Sequence, residues 1–164
     1  MQTQDWHPPR HASFASSHPG TAPYESIVLP YGKQILWPDH CVQGTQGAAL
    51  ATALAVQKPD LVLRKGYRQA VDSYSAFIEA DRTSTGLAGF LKQRKIRRVF
   101  IAGLATDFCV AYSAVDARKA EFTTFVIEDA CRAIDTNGSL TAAWAAMRKA
   151  GVKRIRSGEI TVPA

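Results

Sequence analysis

Arg98-Val99-Phe100-Ile101-Ala102-Gly103-Leu104, then the run from Asp107 to Glu121, then Thr123-Thr124-Phe125-Val126-Ile127-Glu128: the reading of this stretch decides the fold. The first and last runs are short, apolar and rich in β-branched and aromatic residues, the composition of buried strands. The run between them reads as a helix. Strand, helix and strand on short connections imply parallel pairing through a right-handed crossover. Further along, Ser139 to Ala150 reads as an alanine-rich helix closed by Gly151, and Val152 to Ile155 as a last strand. Upstream, Thr85 to Lys95 carries Leu87, Phe90 and Leu91 at helical spacing, weakened by Gly86 and Gly89, and Leu61-Val62-Leu63 is a short apolar run. The expected fold is a three-layer α/β/α domain with a mostly parallel sheet, one domain over residues 1–164. Such sheets bind ligands beyond the carboxyl ends of their strands. Lys65 and Cys109 fall there.

The chain has 164 residues, 46% hydrophobic and 21% charged, with a net charge of +6. This suits one domain with a core of its own. The basic residues are scattered except for Lys92 to Arg98, and no recognition motif accompanies them, so no nucleic-acid partner is expected. No apolar run is long enough for a membrane span and no secretory signal pattern is present, so a cytoplasmic protein is expected. The three cysteines, Cys41, Cys109 and Cys131, match no zinc ribbon or disulfide framework and are expected to be reduced.

Gly103-Leu104-Ala105-Thr106-Asp107-Phe108-Cys109-Val110 places a cysteine in the first turn of a helix, with Thr106 or Asp107 as its N-cap. Unpaired backbone N–H groups and the positive end of the dipole favour a thiolate there, and the thiolate is the nucleophile. The same N–H groups suit an oxyanion. By position alone, Cys109 also reads as core packing, the commoner role of a buried cysteine.

Residues 6 to 47 hold most of the prolines and all four histidines. So long an irregular stretch in a compact domain is usually functional. In Asp5-Trp6-His7-Pro8-Pro9-Arg10-His11, an extended backbone sends Asp5 and His7 to one side, half of a site for zinc, iron or manganese. His40, in Trp37-Pro38-Asp39-His40-Cys41, is the candidate third ligand and His11 a fourth. Spacing of this kind also occurs in loops whose polar groups are simply hydrogen bonded.

Together, these segments resemble the nicotinamidases, a branch of the isochorismatase-like cysteine hydrolases. Asp5-Trp6-His7-Pro8 with His11 and Ser13-Phe14-Ala15 is similar to that family's metal segment, and Trp37 to Thr45 to its second metal segment. Arg64-Lys65-Gly66 resembles the strand end with the catalytic lysine, Asp72 to Phe77 the segment after it, and Gly103 to Val110 the nucleophile motif. The five blocks stand in the family's order.

The resemblance implies hydrolysis of nicotinamide to nicotinate and ammonia through a thioester on Cys109, in NAD salvage. It implies an oxyanion hole from the backbone N–H groups of Ala105 and Cys109, with a cis peptide between Leu104 and Ala105. Lys65 would favour the thiolate. Asp5, His7 and His40 would hold one divalent metal, zinc foremost and iron or manganese otherwise, with His11 nearby as a weak or indirect ligand. Trp37, Tyr74 and Phe14 would line the ring pocket. Apart from the resemblance, Lys65 reads as a solvated strand end and the aromatics as core.

The family's general base is an aspartate at the end of a first strand. Nothing similar precedes Asp5, so the expectation is a chain that lacks that strand and has doubtful activity as it stands, with its true start upstream. The alternatives are a noncatalytic metal-binding remnant or an amidohydrolase acting on another amide such as pyrazinamide. An open sheet edge would favour a homo-oligomer.

Overall fold

The computed structural model describes residues 1–54 and 58–160. The last four residues of the expected domain, 161–164, lie outside the described residues. The chain forms two compact units. One comprises Met1–Ser73 with Glu79–Thr83, the other Tyr74–Ile78 with the chain from Ser84 onward.

The first unit contains β1 (Gln2–Asp5), β2 (Ser26–Leu29), β3 (Gly32–Ile35) and β4 (Val62–Lys65). Strands β1 and β4 pair in parallel, with Gln2 opposite Val62 and Asp5 opposite Lys65. The register sets a carboxylate beside an ammonium at the carboxyl ends of both strands. The chain then leaves β1 through Trp6 and His7, and His7 bridges to Val42. Strands β2 and β3 form an antiparallel hairpin. Phe14, Leu36 and Trp37 are buried in this unit together with His7, His11 and Asp72.

The second unit contains α1 (Leu87–Gln93), β5 (Arg98–Leu104), α2 (Ala111–Lys119), β6 (Thr123–Arg132), α3 (Ser139–Lys149) and β7 (Lys153–Ile155). The three strands form a parallel sheet in the order β5-β6-β7. Its core is Val110, Ala111, Ala114, Val126, Cys131, Ala143, Met147 and Val152. The expected α/β class with mostly parallel strands is what the chain adopts.

Several boundaries differ from expectation for local reasons. Helix α1 begins at Leu87, because Gly86 before it has a left-handed φ of 85°. Strand β6 continues four residues past Glu128, beyond a register irregularity opposite Ile101 and Gly103. The largest difference precedes α2, where Thr106–Val110 forms a π-helical turn and the α-helix starts at Ala111. Neither Thr106 nor Asp107 caps that turn. Ala105 occupies the cap position without a side-chain bond, and Asp107 is buried. No helix among the described residues is long and apolar enough to cross a membrane.

Candidate active site

Asp5, His7 and His40 each bring one ligand atom to within 4.8 Å of the others. The hydrogen bonds around the two rings favour the same tautomer. His7 Nδ1 faces the Gly66 carbonyl at 2.9 Å, and His40 Nδ1 faces the Pro38 carbonyl at 2.8 Å. A carbonyl accepts, so both Nδ1 atoms carry the proton and both Nε2 atoms keep a lone pair. Fixing a ligating imidazole through its other nitrogen is the usual support of a metal site. Burial, reinforced by the neighbouring His11, pushes the His7 pKa down to about 4 against the pull of Asp5 and Asp72. At neutral pH the ring is therefore uncharged. A carboxylate and two imidazoles are a fitting donor set for zinc or a similar divalent ion.

His7, His11 and Asp72 form a second, fully buried group with the same 4.8 Å spacing. Here the tautomer reads differently. The Ser13 backbone N–H donates to His11 Nδ1 at 3.2 Å, and the Ser13 hydroxyl lies 2.7 Å from the same atom. The proton of the neutral ring is thus on Nε2, which faces the Val71 carbonyl at 3.3 Å. Both nitrogens of His11 are engaged by the protein. Asp72 accepts from Gln34 Nε2 at 2.8 Å and from the Ser73 N–H at 2.7 Å.

Lys65 is buried at the end of β4. Its Nζ lies 2.5 Å from Asp5 Oδ1 and donates to the Ser73 carbonyl at 2.8 Å. Burial pushes the Asp5 carboxyl up, but Lys65 beside it more than offsets this and holds its pKa below the ordinary value.

In the second unit, Cys109 sits partly exposed in the π-helical turn that follows β5. The Leu104–Ala105 peptide is cis, as the resemblance implied. The Ala105 carbonyl accepts from the N–H groups of both Phe108 and Val110 at 3.1 Å.

Residues 18–159 match the isochorismatase domain family. The chain belongs to this family. It is 60% identical over 161 residues to a nicotinamidase of Acinetobacter baylyi, an overlap covering 98% of this chain and 75% of that one. A solved nicotinamidase/pyrazinamidase structure from Acinetobacter baumanii superposes with a TM-score of 0.95 at 54% identity, covering 97% of this chain and 77% of that one. A pyrazinamidase of Pyrococcus horikoshii, solved in complex with zinc, superposes with a TM-score of 0.71 at 30% identity, covering 94% and 73%. The nicotinamidase branch expected from the motifs is thus the branch that this isochorismatase-family chain resembles over nearly its whole length.

The aromatic candidates of this family member fall in different surroundings. Phe14 is fully buried, edge-on to the rings of His7, His11 and His40. Trp37 pairs with Phe14 across an isolated bridge and meets the Tyr24 ring at 5.9 Å. Tyr74 belongs to the second unit and packs on Phe108 and Tyr112. Two contributors were not singled out from sequence, and a third, Asp107, was expected as a cap and has a different role. Gly66 supports His7, Gln34 holds Asp72, and Asp107 bonds to residues 134–139. Asp72 and Gly66 lie inside motif blocks, which was the available signal; Gln34 had none.

Proposed function

We propose that this isochorismatase-family protein hydrolyses nicotinamide to nicotinate and ammonia in NAD salvage, in the cytoplasm. The observation that carries the reading is the 60% identity to a nicotinamidase over almost the whole chain. In the proposed route the Cys109 thiolate attacks the amide carbon and forms a C–S bond. The C–N bond then breaks, and ammonia leaves with the proton that the thiol gave up. Water hydrolyses the thioester, releasing nicotinate and restoring the thiol. Dividing the reaction in this way replaces one high barrier with two lower ones. The resemblance implies a carboxylate as the proton acceptor.

Ala105 and Cys109 offer backbone N–H groups to the oxyanion, and Lys65 favours the thiolate. Asp5, His7 and His40 hold a divalent metal, zinc by preference, with His11 braced beside them. The zinc complex of the Pyrococcus horikoshii relative supports that choice of ion. Such an ion, when bound, supplies a Lewis-acid contact for the pyridine nitrogen. Trp37 and Tyr74 are assigned to the ring pocket, while Phe14, the third aromatic candidate, is fully buried against the imidazoles and is assigned to their support.

The test is ammonia release from nicotinamide, with pyrazinamide as the competing substrate. It is run on this chain and on a version extended upstream in frame. Turnover that disappears in Cys109→Ala while metal content is kept supports the reading. No turnover in either form would leave the noncatalytic metal-binding alternative standing.

A further inference from the structure

The turn that carries Cys109 is fastened to its surroundings by a carboxylate of its own. Asp107 is only 5% exposed. Its Oδ1 accepts from the Ile134 N–H at 3.1 Å, and its Oδ2 accepts from the Asp135 N–H at 2.8 Å and the Ser139 hydroxyl at 2.5 Å. Ser139 opens α3 and also accepts from the Thr136 N–H at 2.9 Å. Helix α3 sends Ala143 and Met147 into the core that also contains Val110, the last residue of the turn. The turn is therefore held from two directions. Its apolar end is packed, and its polar end is bonded to a loop that follows β6.

All three bonds to Asp107 run the same way. Two donors are backbone N–H groups, one on each oxygen, which cannot reverse, and the third is the Ser139 hydroxyl, which accepts from the Thr136 N–H and gives its own proton to Asp107. The site requires an acceptor on both oxygens, which an ionised carboxylate meets and an amide cannot. Burial raises the Asp107 pKa, but the Ser139 hydroxyl and the two N–H groups outweigh it, and the group stays below the usual carboxylate range.

We propose that Asp107 is a positioning residue for the nucleophile: its acceptor-only carboxylate locks the Cys109 turn to residues 134–139. This holds the thiol and the neighbouring backbone N–H groups in one arrangement. The proposal rests on the reading of Cys109 as the nucleophile. It also makes a claim of definite sign. A negative charge two residues from a thiolate disfavours it, so if charge were the whole effect, neutralising Asp107 would make Cys109 more reactive. A positioning role demands the reverse, because the isosteric amide must turn its NH₂ against a donor and loosen the turn.

The experiment measures iodoacetamide alkylation of the full chain across pH, resolved by peptide mass spectrometry, with Cys41 as the reference within the same molecule. In Asp107→Asn, alkylation of Cys109 at pH 7 is expected to slow about tenfold, the equivalent of one pKa unit. Its pH profile should move up while the Cys41 rate holds. A Cys109 rate that is unchanged or faster overturns the proposal. If Asp107→Asn does not unfold cooperatively, Ser139→Ala carries the test through the loss of one of the three bonds. A slower Cys109 rate then supports the proposal, and an unchanged one overturns it. Nicotinamide hydrolysis by Cys109→Ala separates the two readings. Persistent hydrolysis there removes the nucleophile assignment and this proposal with it. An inactive Cys109→Ala beside an unaffected Asp107→Asn removes this proposal alone.

Discussion

The His7 ring rests on the bare Cα of Gly66 and donates from Nδ1 to that residue's carbonyl oxygen at 2.9 Å. A Cβ on Gly66 would stand 2.4 Å from His7 Cε1 and 2.6 Å from Nδ1, closer than atoms can approach. The glycine also has a φ of 61°, which a side chain disfavours. Gly66→Ala should therefore expel the His7 ring from its position while leaving every proposed ligand present. The expected result is a loss of metal affinity of about 10–100-fold, the usual effect of removing a ligand's supporting bond. Competition with a chromophoric chelator measures it. An unchanged affinity would mean that Gly66 does not set the ring.

Asp5 serves two partners, since it is both a proposed metal ligand and the counter-ion of buried Lys65. Removing one member of a buried pair leaves the other uncompensated, at a cost of several kcal/mol. Asp5 is about a quarter exposed, so the penalty here should be smaller, about 2 kcal/mol. Lys65→Met should lose that stability in chelator and regain most of it with zinc, whose charge replaces the ammonium. Urea unfolding with and without zinc tests this. Equal losses under both conditions would show that the metal and Lys65 do not share Asp5.

These two relationships also show what was legible in the sequence. Strand β5 was bounded correctly because the apolar run that follows the basic segment ending at Arg98 leaves few alternatives, and α3 to within one residue because Gly151 closes it. That Asp5 and His7 stand side by side was legible from strand alternation, and that His40 joins them from its motif. The supporting groups were not. Gly66 meets His7 from 59 residues away and Gln34 meets Asp72 from 38, and no local pattern encodes either contact. The expected cap at Thr106 or Asp107 fails for the same reason. Asp107 turns from its own helix to backbone donors 27 and 28 residues later, an attraction invisible in the neighbouring sequence.

The depressed His7 pKa gives the metal-free protein a specific acid sensitivity. Folded His7 titrates at about 4, below its ordinary 6.5, because burial opposes its charge. Between those values the unfolded chain binds a proton that the folded chain does not, so stability falls as pH falls. The contribution is fully present above pH 6.5 and is lost on the way down to about pH 4. Its upper limit is about 3 kcal/mol from the linkage relation. Urea unfolding in chelator at pH 7.5 and 4.5 measures the slope, and His7→Gln should flatten it. A slope that His7→Gln leaves intact must come from other groups.

Phe14 distinguishes a structural role from one in recognition. Its ring is fully buried and lies edge-on to three imidazoles, with centroids 5.5 Å from His7, 5.6 Å from His11 and 5.5 Å from His40. A side chain in that position sets the spacing of the ligand rings by packing. Phe14→Ala should cost about 3–5 kcal/mol, the range for emptying a buried aromatic site. It should also weaken metal binding, because imidazoles next to a cavity relax away from the geometry that the ion requires. Phe14→Leu keeps most of the volume and should retain most of both properties. A wall of the substrate pocket behaves differently: Phe14→Leu would raise KM for nicotinamide with stability and metal affinity unchanged. Thermal unfolding in chelator, a zinc titration and steady-state kinetics on the two variants decide between these patterns. The burial of the ring favours the first.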